Sequence, residues 1–385
     1  MKKVLVVKGQ SAYNVLRRAA DEIADGFKSK GYEPEIIDFC EFKDNNEILI
    51  GIDELLKKSH SGEYAFAFFM QAIFFALRYE NGDYLIGRMG CPCIGWIFDD
   101  IRCHYERLCA GINKNVHLFS MDYSDEYYLK LMNPGIYNIN GLLHGGFEAD
   151  TGFEKDIDIF IPSSIYKSAD WVKEPAEREM VLADEALQLW KRDCSQTPKQ
   201  LMRAVLEKRG MDYTGEIIFS TMNVMQFVHD TVYTVIRNNV IRAVCSTGLN
   251  VHLLGKTEEE YSSNVTVHGA MEIDEVVRLF RRSKVLVNPM IGIEKGGHER
   301  IFTAWLNKAR CFSLKNAFLQ ERYGDSISFY DLAHMEDFLL EVKDAVSNFG
   351  TYSEKLDIIY KDALVNHTWK RRGQQLAEYY EQIGE

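Results

Sequence analysis

Residues Asn264–Ser313 read NVTVHGAMEIDEVVRLFRRSKVLVNPMIGIEKGGHERIFTAWLNKARCFS, an alternation of strand, helix and loop signals that builds a ligand site. NVTVHG is a short β-branched run ending in His268 and Gly269. Glu272–Ser283 then spaces Ile273, Val276, Val277 and Phe280 at the helical period, and Lys284–Pro289 returns to the pattern of a buried strand. This is a β-α-β unit. Gly296 and Gly297 stand at the mouth of the next predicted helix, Glu299–Asn307, and a further apolar run follows at Arg310–Leu314. Glycines opening a helix bare its unpaired N–H groups, which together with the helix dipole make an anion site whose usual occupant is a phosphate.

Upstream the same alternation recurs. Lys3–Val7 is a buried strand, Gly9-Gln10-Ser11 its turn, Ala12–Lys30 an amphipathic helix and Glu33–Asp38 the next strand. Further strands are predicted at Tyr64–Phe69, Cys93–Phe98, His117–Ser120 and Ile136–Ile139, and the apolar stretch Tyr64–Leu77 reads as a strand to Met70 running into a helix. Such a pattern implies an α/β fold with a parallel sheet covered on both faces. Ligands then gather beyond the carboxyl ends of the strands. Asp99 and Asp100, Asp122, and His144 with Gly145-Gly146 all stand at such ends. A carboxylate or imidazole there can take a proton from a hydroxyl group, while an Asp after a strand equally serves as the N-cap of the next helix.

A first domain is expected to end near Thr151, with Lys155–Ser163 entering a new strand. A helix-rich insertion over about 169–247 places Trp171, Leu187, Trp190, Leu201, Val205, Val228 and Val235 where they can form a small bundle. It carries no evident chemistry and reads as packing or as a specificity lid. Asn250–Leu254 is a strand closing in Gly255-Lys256, so Lys256 is a cation at a strand end.

At 385 residues the chain is long enough for about two domains. A net charge of −12 argues against a nucleic-acid surface, which needs clustered Lys and Arg. Eight scattered cysteines and no signal peptide point to reduced thiols and a cytoplasmic setting. Cys91-Pro92-Cys93 lacks zinc or redox spacing, and Tyr64–Leu77 is too short to span a bilayer. No Gly-x-Gly-x-x-Gly follows the first strand, which weakens the case for a nucleotide-dependent oxidoreductase.

The Asn264–Ser313 block resembles the donor-binding half of group 1 glycosyltransferases of the GT-B fold, in particular the CgeB-like, spore-maturation-type branch. There a strand ending in His-Gly, a helix and a strand ending in Leu/Val-Asn precede a glycine-containing loop and Arg-Ile/Val-Phe-Glu-Ala. Here the last piece is Arg300-Ile301-Phe302-Thr303-Ala304, with Thr303 where the family has a glutamate expected to hold the donor ribose. His367-Thr368-Trp369 with Arg371 and Arg372 is similar to the family's His-Thr-x-x-x-Arg ending. Lys155–Ser163 resembles the Asp-Val-x-Phe-x-Gly-Ser opening of the donor domain, with Pro162-Ser163-Ser164 in place of the Gly-Ser turn.

The resemblance implies two facing Rossmann-like domains: an acceptor-side domain over 1–150 and a donor domain over 151–352 that carries the insertion. A C-terminal segment over 353–385, helical from about Ser353 to Gln382, would return toward the first domain, with His367, Trp369 and Arg372 as packing and hinge residues. The implied activity is transfer of a sugar from a nucleotide-sugar donor to a hydroxyl acceptor, without metal or further cofactor. Donor contacts would come from Ser163, Ser164, Lys256, His268, Gly269, Asn288, Gly296, Gly297, His298, Glu299, Arg300 and Thr303. Asp99, Asp100 and His144 are the candidate bases, and inversion and retention both stay open. The alternative is a catalytically silent GT-B protein that binds a glycan, a nucleotide or a partner protein. Thr303 favours it; the intact Gly-Gly-His-Glu-Arg loop speaks against it.

Overall fold

The computed structural model describes residues 2–9, 12–150, 152, 154–163, 165, 174–255, 257, 259–290 and 292–383. Ser164, Lys256, Trp171, Thr151 and the Gln10-Ser11 turn lie outside the described residues. The chain forms two compact units, Met1–Gly145 with Val365–Glu385, and Gly146–Leu364. Among the described residues no helix is long and apolar enough to cross a membrane.

The first unit runs β1 (Lys3–Lys8), α1 (Val15–Ser29), β2 (Glu33–Asp38), α2 (Asn45–Ser59), β3 (Tyr64–Met70), β4 (Cys93–Ile97), α3 (Tyr105–Leu108), β5 (Val116–Ser120), α4 (Asp125–Met132) and β6 (Asn138–Gly141). Its six strands are parallel in the order β2-β1-β3-β4-β5-β6. β3, YAFAFFM, is buried at every position, as a strand covered on both faces must be. Strand order reverses between β1 and β3, which makes their carboxyl ends the switch point of the sheet. The helix expected after Met70 does not form. Gln71, Ala72 and Phe74 adopt φ of 54°, 45° and 66°, left-handed values that no right-handed helix accommodates.

The second unit runs β7 (Ile157–Ile161), α5 (Glu177–Arg192), α6 (Pro198–Lys208), α7 (Gly215–Ser220), α8 (Met222–Cys245), β8 (Val251–Leu254), β9 (Val265–His268), α9 (Ile273–Arg282), β10 (Ser283–Asn288), α10 (Glu299–Leu306), β11 (Arg310–Leu314), α11 (Ala317–Tyr323), β12 (Ile327–Tyr330), α12 (Met335–Ser347) and α13 (Ser353–Asn366). The parallel order is β12-β11-β10-β7-β8-β9, with the reversal between β7 and β10. β12 escaped the sequence reading because ISFY is four residues long and lies at the sheet edge. The insertion is α5–α8, and Trp190, Leu201, Val205 and Val228 are buried in it. A capping box between Thr197 and Gln200, with Pro198 in the first turn, starts α6 sharply.

The last segment is two helices where one was expected. The Thr368 hydroxyl accepts the Arg371 N–H at 3.0 Å, which caps a new helix, α14 (Trp369–Ile383). α14 packs on α1 through reciprocal glycines. A Cβ on Gly26 would lie 2.2 Å from the Lys370 carbonyl, and one on Gly373 would lie 2.2 Å from the Ile23 carbonyl.

In the second unit, Lys155 Nζ donates at 2.7 Å to the Ser283 carbonyl and at 2.7 Å to the Asn307 carbonyl, at the C-terminal ends of α9 and α10. These are orphan carbonyls sitting at the negative ends of two helix dipoles. Burial first, then Arg281 and Lys308, pull the Lys155 ammonium down to about 7, and Lys155→Met is expected to cost about 1–3 kcal/mol because it leaves two carbonyls without their donor at once. Denaturant unfolding measures this, and an unchanged midpoint would contradict it.

Candidate functional site

At the switch point of the second sheet, β7 and β10 end side by side, and the residues just past their pairing are Ser163 and Asn288. Both are buried, at 5% and 1% exposure, and neither Ser163 Oγ nor Asn288 Oδ1 has a hydrogen-bond partner among the described residues. The other end of the Asn288 amide is committed, since Nδ2 donates to Ser313 Oγ at 3.2 Å, and this fixes the direction of Oδ1. Tyr330 Oη donates to the Asn288 carbonyl at 3.2 Å and anchors the strand end further. Two buried acceptor oxygens left over at one switch point are unusual, because an unmet buried polar group costs about 1–3 kcal/mol.

The glycine loop leads from this point into α10. Gly296 and Gly297 are buried, and His298 caps α10 by accepting the Arg300 N–H. His298 also touches the Glu299 carboxylate, and Arg300 Nε lies 3.9 Å from the same carboxylate. Glu299 thus has cationic or imidazole neighbours of its own, as a structural cap would. Arg300 sits in the first helical turn with its side chain 22% exposed, where the dipole and bare N–H groups already favour an anion. At the end of β9, a Cβ on Gly269 would meet no atom of the described residues within 4 Å, so none of them demands glycine there.

His268 is held by a neighbour. Its Nε2 lies 2.9 Å from His252 Nδ1 on the adjacent strand β8. Burial first, then His268 and Arg282, push the His252 imidazole down to about 4, and burial also lowers His268. A histidine pulled below its unfolded value stabilises the fold in its neutral form. That contribution is complete above about pH 6.5 and falls away as pH drops toward about 4. We expect wild type to lose on the order of 2 kcal/mol more than His252→Gln between those two pH values. Parallel loss in both proteins, followed by denaturant unfolding, would refute the assignment.

Thr303, expected as a donor contact, is buried against its own unit. It is 2% exposed, and its Oγ1 accepts the Phe147 N–H at 3.2 Å. One turn later Asn307 Nδ2 donates to the Phe147 carbonyl at 2.8 Å, and Asn307 Oδ1 accepts from the Ala149 N–H at 3.0 Å. This face of α10 therefore holds the segment that opens the second unit. Thr303→Glu would bury a carboxylate and overfill the contact, and we expect a loss of about 3 kcal/mol with no gain in nucleotide affinity. A stable variant that binds nucleotide more tightly would overturn this placement.

The structure separates the three candidate bases of the first unit. Asp100 is engaged as a cap: Oδ1 accepts from the Arg102 N–H at 3.0 Å, and its carboxylate pairs with the Arg102 guanidinium at 2.6 Å. His144 is 3% exposed, with ring centroids 5.4–6.5 Å from Trp96, Phe98 and Trp369, and its carbonyl accepts from Arg372 Nε at 2.9 Å. Its ring is a packing element, which corrects its reading as a base open to a ligand. Asp122 accepts from the Ser124 N–H and hydroxyl and is 2% exposed.

Asp99 differs, with 65% of its side chain exposed just past β4. Gln71, at the strained end of β3, positions it. The Phe98 N–H donates to Gln71 Oε1 at 2.8 Å, so Gln71 Nε2 is aimed at the Asp99 carboxylate and at His104 Nε2, 2.8 Å away. If the Gln71 amide donates there, the ring proton of His104 sits on Nδ1; His104 Nε2 also lies 3.4 Å from Asp99 Oδ2. Arg107 Nη1 donates to the Gln71 carbonyl at 2.7 Å. Three left-handed non-glycine residues at one strand end cost about 1–3 kcal/mol each, and such strain concentrates at functional sites. Sequence reasoning gave Gln71 no role beyond the helix expected after Met70 and missed His104.

It also assigned no chemistry to the insertion. α8 carries a polar face at helical spacing: Gln226 donates to Asp230 at 2.7 Å, His229 lies 3.1 Å from Asp230 and stacks on Tyr233, and Arg237 lies over Tyr233 at 3.9 Å. Asp230 and Arg237 are buried. The face meets the glycine loop at Gly292, which has φ 100° and where a Cβ would lie 2.8 Å from His229 Nε2. The stripe at 226, 229, 230, 233 and 237 was the available signal.

No protein-family model matches the chain, and no curated protein does. Solved structures do. A glycosyltransferase from Rickettsia africae ESF-5 matches with a TM-score of 0.53 at 11% identity, covering 100% of this chain and 99% of its own. Anabaena HepE, solved in complex with UDP-glucose, matches with a TM-score of 0.53 at 10% identity, over 99% of this chain and 100% of its own. An alpha-glucosyltransferase in complex with UDP matches with a TM-score of 0.57 at 8% identity, over the full length of both. These likenesses, with the two six-stranded parallel sheets, show that the chain has the two-domain GT-B fold of glycosyltransferases.

Proposed function

We propose that this chain transfers a sugar from a nucleotide-sugar donor to a hydroxyl on a glycan, protein or small molecule. The observation that carries the reading is the coincidence at the β7–β10 switch point. The oxygens of Ser163 and Asn288, unpartnered among the described residues, stand at these strand ends, and the chain runs from Asn288 through the buried glycine loop into the N-terminus of α10 with Arg300. An anion suits the helix end, and a hydroxyl-rich ligand suits the two acceptor oxygens. A nucleoside diphosphate joined to a sugar supplies both.

In the reaction, the bond from the anomeric carbon to the diphosphate oxygen breaks and its electron pair leaves with the diphosphate. Arg300 and the α10 N-terminus take up the charge that develops, so metal is not required. The acceptor oxygen forms the new bond and passes its proton to a general base; within the first unit the carboxylate suited to that role is Asp99, held in place by Gln71. A base in that role implies inversion at the anomeric carbon. We further place the chain in the CgeB-like branch, on His268-Gly269, Asn288, the Arg300-Ile301-Phe302 run and the His367-Thr368-Trp369 ending, and in the cytoplasm, on its eight free cysteines.

The reading is tested by offering UDP-, GDP-, CDP- and dTDP-sugars and following release of the nucleoside diphosphate. Turnover of one donor supports it, and binding of none defeats it. Binding without turnover is the result expected of a silent GT-B protein, the reading that the buried Thr303, in place of an acidic ribose contact, favours.

A further inference from the structure

The helical insertion meets the glycine loop at two separate points. Thr197 Oγ1, at the start of α6, donates to Glu294 Oε1 at 2.6 Å, and His229 of α8 abuts Gly292. Between α6, the loop and the start of α11 lies a cavity of about 300 Å³. Its walls include Thr197 and Gln200 from the insertion, Met290 and Glu294 from the loop, and Asn316 and Ala317 from the β11–α11 junction. The wall is rigid. Gln200 accepts the Thr197 N–H at 2.9 Å, and Asn316 Nδ2 donates to the Ile293 carbonyl at 2.7 Å.

We propose that this cavity receives the sugar ring of the donor and that the insertion, through Thr197 and Glu294, sets which sugar is accepted. The proposal rests on the donor reading above and adds the insertion as a specificity wall. Size limits the occupant: ligand pockets run from about 300 to 1,000 Å³, so this one holds a single ring and not a whole nucleotide-sugar. Chemistry narrows it further. Among the described residues no aromatic side chain lines the cavity to stack on a base, and its two opposite charges, Glu294 and Lys315, offset one another and leave no net attraction for a phosphate. A neutral polyol fits, because a carboxylate offers about four lone-pair sites and can serve sugar hydroxyls as well as Thr197, while Met290 and Leu314 cover an apolar ring face.

The test is calorimetric titration of wild type, Glu294→Gln and Ala317→Phe with UDP, UDP-glucose, UDP-galactose, GDP and GDP-mannose. Ala317 is exposed at the cavity wall, so Phe takes up cavity space without entering the core. For the nucleotide that binds, both variants should weaken the sugar conjugate about tenfold and change the bare diphosphate by less than about twofold, a selective loss of one or two hydrogen bonds or of ring space. Equal weakening of conjugate and diphosphate, or no weakening of either, overturns the proposal while leaving the donor reading intact. Failure of wild type to bind any of these five ligands, or CDP- or dTDP-sugars titrated in the same way, removes the donor reading itself. Should one variant fail to fold, the other decides.

Discussion

Arg300→Ala is expected to weaken nucleoside diphosphate binding by about tenfold to a hundredfold, and to lower kcat by about 10²–10³. The argument starts from position. Arg300 lies in the first turn of α10, where the backbone N–H groups and dipole already favour an anion, and its partly exposed guanidinium supplies the full charge that the dipole lacks. A planar fork can hold two phosphate oxygens at once, so Arg300→Lys should recover only part of the loss. The extra effect on kcat follows because negative charge on the diphosphate grows as the glycosidic bond breaks. Calorimetry with the bare diphosphate and turnover with the intact donor separate the two effects. Unchanged binding and turnover in Arg300→Ala would move the phosphate site elsewhere.

The second large effect is expected at Asp99. Asp99→Asn should lower kcat by about 10²–10⁴ and leave the KM for the donor nearly unchanged, since the carboxylate acts on the acceptor proton. Gln71→Leu should lower kcat by a smaller factor, because the carboxylate remains but loses the amide that aims it. Conversion of Asp100 or Asp122 to Asn should act mainly on stability, as both carboxylates already serve local caps and hydroxyls. The anomeric configuration of the product, read by NMR, gives an independent check: an Asp99 base requires inversion. A retained configuration, or near-normal turnover by Asp99→Asn, would remove Asp99 from the mechanism.

Much of the fold was legible because its signals are local. Asn264–Ser313 switches between β and helical periodicity in every segment, and the two strands and helix it encodes stand where the periods put them. Strand ends were legible too, and with them the short list of residues able to meet a ligand. What one strand-end residue does with its side chain was not. Asp99, Asp100 and Asp122 follow strands in the same way, and only the partners supplied by Gln71, Arg102 and Ser124 tell them apart. Thr303 shows the same limit from the other side. Its place in a ligand-binding motif suggested exposure, whereas its burial comes from Phe147, 156 residues away in sequence. The left-handed turn after Met70 was hidden because Gln71, Ala72 and Phe74 are not residues that favour positive φ; tertiary packing imposes it. The polar face of α8 was within reach, since its spacing is plain once the segment is read as one long helix.

The most direct test of the account is backbone hydrogen exchange of the wild-type protein, with and without UDP-, GDP-, CDP- and dTDP-sugars. The account predicts that one donor protects the glycine loop and the first turn of α10, residues 292–303, together with the ends of β7 and β10. Protection confined to other segments, or no protection by any of the four, would contradict a donor site at the β7–β10 switch point.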